Sequence, residues 1–170
     1  INPGYLMDAL VITLTAPCQK IERIAVARVM NAATRRLPFQ RKIGAGLSIA
    51  EFKQSIAKKK ITGHVGLEQS IEMIADAMAW KLDMTIIEPV EPVIAKKQVQ
   101  SREIKVGTGM VAGLKQKAKG IVNGKEIITL DFQAYIGAEE EHDSITIKGT
   151  PNINERISPC VHGDLATVAM

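Results

Sequence analysis

The densest group of reactive side chains lies between residues 35 and 48. Arg35, Arg36, Arg41 and Lys42 fall within eight residues, and Gly44, Gly46 and Ser48 follow. Guanidinium groups offer paired donors to a carboxylate. Glycines let the backbone approach a ligand closely, and the free amides at the start of a helix attract anions. Together these residues can form a carboxylate pocket. They read equally as a solvated basic loop with ordinary turn glycines. His64, set between Gly63 and Val65-Gly66, is the second candidate. Its imidazole can exchange a proton or bind a substrate; the alternative is a histidine that caps the next helix or fills a turn.

Other chemistries lack their residues. There is no G-x-S-x-G, no G-x-x-x-x-G-K-[ST] and no H-E-x-x-H. A dinucleotide-binding loop needs G-x-G-x-x-G between a strand and a helix. Gly44-Ala45-Gly46 lacks the third glycine, and Gly107-Thr108-Gly109 opens a strand region. His64, His142 and His162 sit in separate loops without metal spacing, so no metal site is expected. Cys18 and Cys160 are far apart and read as reduced, buried thiols, which fits a cytoplasmic protein.

The elements that must position these groups follow from periodicity. Asn2 can cap a helix over residues 5–16, with Pro3 at its first position and Pro17 at its end. Residues 21–33 alternate as a strand, with a mixed face (Ile24, Val26, Arg28) and an apolar one (Ala25, Ala27, Val29). A loop is predicted over residues 34–47. Ser48-Ile49-Ala50-Glu51 is a capping box, with Leu47 and Phe52 as its hydrophobic staple. A helix is predicted over residues 67–81, with Trp80 in the core. Pro89 and Pro92 place residues 84–95 at a sheet edge or bulge. Asn123-Gly124 joins strands 110–122 and 126–136 as a hairpin. Ile128, Leu130, Phe132, Ala134 and Ile136 share one face, and Lys115, Lys117 and Lys119 line one face of the partner. Residues 144–148 form a further strand, and residues 164–170 read as an apolar helix. The fold class is α+β: a mixed or largely antiparallel sheet with helices packed on one face.

Composition bounds the partners. The 170 residues are 46% hydrophobic and 24% charged, which excludes disorder and a disulfide scaffold. The net charge of +4 is spread over several segments, and aromatics are only 4%, so nucleic-acid binding is not expected. No apolar run approaches the ~20 residues that span a membrane. The chain begins at Ile1 and stops inside an apolar segment at Met170, which reads as a domain, residues 1–170, excised from a longer protein.

A family resemblance rests on these same motifs. Asn2-Pro3-Gly4-Tyr5-Leu6-Met7-Asp8, Arg35-Arg36, Lys42-Ile43-Gly44-Ala45-Gly46, Gly63-His64-Val65-Gly66-Leu67 with Ser70, and Pro159-Cys160-Val161-His162-Gly163-Asp164 resemble the second domain of dihydrodipicolinate reductase-like proteins. The resemblance is nearest to the 2,4-diaminopentanoate dehydrogenase type of NAD(P)-dependent amine dehydrogenases. It covers most of residues 1–100 and, more loosely, residues 150–170. It implies a two-domain oxidoreductase whose absent N-terminal Rossmann domain binds NAD or NADP. The present chain would supply substrate contacts and a homo-oligomer interface, with Asn2 and Gly4 touching the cofactor. An amino or imino acid would be held by its carboxylate at Arg35, Arg36, Gly44, Gly46 and Ser48, while Lys42 or His64 handles the proton. The histidine pair of the reductases is absent, and Ala33, Thr34, Arg35 and Arg36 occupy that loop. The alternative is a stand-alone homo-oligomeric binding or assembly module without catalysis.

Overall fold

The alternating apolar positions of two strands set the architecture. In the computed structural model, which describes residues 3–169, Ile24, Val26, Arg28 and Met30 face inward and are buried, as are Ile128, Leu130, Phe132 and Ala134. In chain order, helix α1 is Ala9–Thr15, strand β1 is Lys20–Asn31, and a 3-10 turn covers Ala32–Thr34. Helices α2 (Leu37–Lys42), α3 (Ile49–Ala57) and α4 (Leu67–Ala77) follow. Then come β2 (Met84–Ile87), β3 (Glu91–Ile94), β4 (Val99–Gln100), β5 (Lys105–Val106), β6 (Val111–Val122), β7 (Lys125–Tyr135), β8 (His142–Thr150), β9 (Ile153–Ile157) and helix α5 (Gly163–Ala169).

The main sheet has seven strands in the order β2-β6-β7-β1-β8-β9, with β3 also on β6. Only the β1–β7 pairing is parallel among these, so the mostly antiparallel α+β class is as the sequence predicts. Helices pack on one face. Val11 of α1 and Leu67, Ile71 and Ile74 of α4 join Ile24 and Leu130 in one apolar cluster. Ile43, Phe52 and Ile61 join Met30, Leu114 and Ala134 in the other. The opposite face is polar and tied by ion pairs, Lys117–Asp131 at 3.3 Å and Lys119–Glu88 at 2.8 Å among them.

Several elements match their sequence signals. The capping box closes in both directions. Asn123 and Gly124 take positive φ, 51° and 70°, as a tight hairpin demands. Pro89 separates β2 from β3, both on β6, while Pro92 lies within β3 just before a register shift at Val93/Ile94. Trp80 is half-buried against the α4 cluster.

Three expectations need correction. The first helix starts at Ala9, not at residue 5, because Asp8 caps it; the Asn2 cap lies outside the described residues. Residues 34–47 contain α2, whose early Pro38 favours helix initiation. Helix α4 stops at Ala77, and Ala79 takes a positive φ of 52°. The covered face of β1 is the mixed one carrying Arg28, and Ala25, Ala27 and Val29 are half-buried on the other.

Asp8 anchors the N-terminal segment. Fully buried, it accepts hydrogen bonds from the Gly4 and Ala9 N–H groups at 2.8 and 2.6 Å and from the Ser70 hydroxyl at 2.7 Å. It therefore ties α1 to α4. Replacing Asp8 with Ala removes the cap and strands a buried hydroxyl, at a cost of about 2–4 kcal/mol. Urea unfolding measures this, and Asp8→Asn should lose clearly less.

Candidate functional site

The two apolar clusters do not meet along the inner face. Between them a row of side chains crosses four strands at one level: Gln116 on β6, Phe132 on β7, Arg28 on β1 and Asp143 on β8. Each is the direct cross-strand neighbour of the next. Beside this buried row open two adjoining cavities of about 240 and 220 Å³, walled in part by Phe39 and Lys42 of α2 and by Gly163, Asp164 and Thr167 of α5. Phe39, His64 and Phe132 line both cavities, so they form one cleft.

Arg28 is 2% exposed. Its Nη1 donates to Asp143 Oδ1 at 2.8 Å, and its Nη2 donates to the Val161 carbonyl. Asp143 Oδ2 accepts the Val161 N–H at 2.8 Å. Both polar groups of Val161 are thus gripped by one buried ion pair. Burial lowers the Arg28 guanidinium from its ordinary value and raises the Asp143 carboxyl, and each partner's charge opposes the other's shift.

The grip on Val161 places the residues after it. His162 Nδ1 accepts a hydrogen bond from Arg35 Nη1 at 3.0 Å. Arg35 is itself buried, and Gln40 Nε2 holds its carbonyl at 2.7 Å. Asp164 pairs with Arg36 at 3.1 Å and lies 3.9 Å from Arg35. Phe39 and Lys42 stand three residues apart on α2, hence on one side of it, and both line the cleft.

His64 forms the facing wall. Its ring stacks on Phe132 with centroids 4.4 Å apart and planes 18° from parallel. The backbone N–H of His64 donates to Gln116 Oε1 at 2.9 Å. Gly63 permits this approach: its φ is 73°, and an added Cβ would meet Gln116 Oε1 at 2.4 Å. Burial, with Arg28 and Lys42 nearby, pushes the imidazole down to about 4, so the ring is neutral at pH 7. The following helix has no side-chain cap, so His64 does not serve there.

The cleft therefore gathers Arg35, Arg36, Lys42 and His64. Gly44, Gly46 and Ser48 do not line it. Gly44 lies against Phe52, where a Cβ would come within 2.6 Å of the ring. The Gly46 N–H donates to Val111, and the Ser48 hydroxyl bonds Glu51. The Gly4 N–H is held by Asp8, and Asn2 lies outside the described residues. Sequence reading missed Arg28, Gln116, Phe39, Phe132, Asp143 and Asp164. The available signal was polar residues at inward positions of alternating strands.

Two further groups complete the picture. Both cysteines are free, and burial pushes the Cys160 thiol up to about 11, which leaves it protonated. Among the described residues no cluster of His, Cys, Asp and Glu fits a metal ion, and no helix is long and apolar enough to cross a membrane.

Comparison with known proteins agrees with the resemblance read from the motifs. The family model for the 2,4-diaminopentanoate dehydrogenase C-terminal domain matches residues 5–170, including the hairpin strands that carry none of those motifs. A 2,4-diaminopentanoate dehydrogenase of Acetoanaerobium sticklandii is 36% identical over 174 residues, covering 100% of this chain and 49% of the relative. An amine dehydrogenase structure from Mycobacterium smegmatis superposes with a TM-score of 0.78 at 14% identity, covering 91% of this chain and 46% of that one; it supports the fold alone. The chain spans about half the length of the relatives it matches. It belongs to the 2,4-diaminopentanoate dehydrogenase C-terminal domain family.

Proposed function

We propose that this chain is the substrate-binding and oligomerisation domain of an NAD(P)-dependent oxidoreductase acting on an amino or imino acid. The observation that carries this reading is the cleft itself. Arg35, Arg36 and Lys42 stand around a neutral His64–Phe132 stack beside the polar row of the sheet. Arg35 and Arg36 hold the substrate carboxylate. The carbon chain lies along the paired rings, and the neutral His64 orients the nitrogen by a hydrogen bond without repelling a cation. Lys42, in its neutral amine form, takes the proton that leaves the substrate nitrogen.

The described residues do not form a dinucleotide cradle. No strand–glycine loop–helix unit is present among them, and the Gly4 amide is already occupied by Asp8. NAD or NADP, which accepts the hydride when bound, belongs mainly to a Rossmann domain elsewhere in the parent chain. The outer sheet face suits contact between copies: half-buried Ala25, Ala27 and Val29 run beside paired charges. Pairing of those lysines with carboxylates favours a small-molecule ligand over nucleic acid, and two free thiols suit the cytoplasm.

The direct test is NAD(P)+ reduction by the full parent protein with 2,4-diaminopentanoate, the compound named for the relative. Arg36→Ala and Arg35→Ala should each raise KM about tenfold or more, with a smaller fall in kcat, because a charged hydrogen bond is worth about 1.5–3 kcal/mol. Unchanged KM in both variants, with folding verified by circular dichroism, would remove the carboxylate anchor.

The state of His64 makes a separate prediction. Its folded value of about 4 lies below the ordinary 6.5. Between those values the unfolded chain binds a proton that the folded chain excludes. Stability therefore falls as pH drops from 6.5 to 4, by up to about 3 kcal/mol. Urea unfolding at pH 7, 5.5 and 4 should show this loss in the native protein and a flatter profile in His64→Gln. Parallel profiles would show that the ring is not held neutral.

A further inference from the structure

The carboxylate anchor already holds a carboxylate of the chain itself. Asp164 bridges the two arginines, with Oδ1 3.1 Å from Arg36 Nη2 and Oδ2 3.9 Å from Arg35 Nη1. One oxygen faces each guanidinium, much as a bound substrate acid would. All three residues line the same cavity.

The segment that brings Asp164 there is fixed at its root and exposed beyond. At the root, Val161 is gripped through both its N–H and its carbonyl, and His162 is held by Arg35. Beyond it, α5 has no buried residue, and Leu165 and Val168 are 70% and 87% exposed. The Thr167 hydroxyl bonds only Gly163, within the helix. Among the described residues, α5 is tied to the rest of the molecule by Asp164 and, next to it in the chain, by the Leu165 and Ala166 N–H groups on the His162 carbonyl. Both groups of the Arg36 pair are well exposed, so water and a competing anion reach it.

We infer that Asp164 is an internal competitor for the substrate carboxylate, setting affinity and selectivity at the Arg35–Arg36 anchor. A ligand acid takes the place of Asp164 on the arginines, and α5 turns away about Gly163 while Val161 stays clamped. Ligands without a carboxylate cannot displace it and enter an occupied cleft. This rests on the anchor proposed above, with Asp164 added as its regulator.

The test uses L-2-aminopentanoate as probe and its amide as the control lacking a carboxylate, with calorimetry on the protein. Asp164→Asn should tighten the acid roughly two- to fivefold and leave the amide unchanged. In an Arg36→Ala background the same substitution should give no gain, which separates direct occupancy from a general charge effect. In the native protein, saturating acid should move the amide resonances of residues 164–169 towards their positions in ligand-free Asp164→Asn. Equal or weaker acid binding by Asp164→Asn, or a gain that persists without Arg36, overturns the inference and leaves the anchor standing. No acid binding by either protein removes the anchor and the inference together.

Discussion

One buried ion pair organises this molecule. Arg28 and Asp143 are cross-strand neighbours on β1 and β8, and both are almost fully enclosed. Taking two charges out of water is expensive unless every donor and acceptor is well met. Here the remaining valences are met by the backbone of Val161. The pair therefore cannot be satisfied by the sheet alone: it requires residues 160–164 to lie across the end of the cleft. Without that segment the two charges would be left with open hydrogen-bonding sites in a poorly solvated place.

The same pair explains why there is a cleft at all. An inner sheet face that is apolar throughout would be covered throughout, because helices bury apolar area wherever it is offered. Gln116, Arg28 and Asp143 interrupt that face between two clusters. The helices divide accordingly, with α1 and α4 on one side and α2 and α3 on the other. What lies between is a strip of sheet with polar side chains, one aromatic floor at Phe132 and a neutral histidine stacked on it. The positive field of Arg28, Arg35, Arg36 and Lys42 converges there, countered only in part by Asp143 and Asp164.

Much of the fold was legible because it is local. The capping box at Ser48 and the Asn123-Gly124 turn are decided within four residues. The period of two in residues 128–136 names its own buried face. The prolines of the edge exclude ladder donors wherever they fall. The loop over residues 34–47 was misread because α2 is only six residues long, too short to show a helical period. The first helix was misplaced because Asp8 looks like one polar break in an apolar run. Its role as cap and bridge appears only once Gly4 and Ser70 are brought to it.

By itself, the sequence determined the class of the fold and the family, since type, spacing and motif carry that information along the chain; it also named Arg35, Arg36, Lys42 and His64, which line the cleft. Tertiary structure alone decided which basic and glycine residues stand together. It set Gly44, Gly46 and Ser48 to packing and capping, and it brought in Arg28, Asp143 and Asp164 from 115 to 128 residues away. It also made His64 neutral, because an imidazole's charge depends on the water and charges around it and not on its neighbours in sequence. Local signals survive in one dimension; burial and electrostatic partnership exist only when distant segments meet.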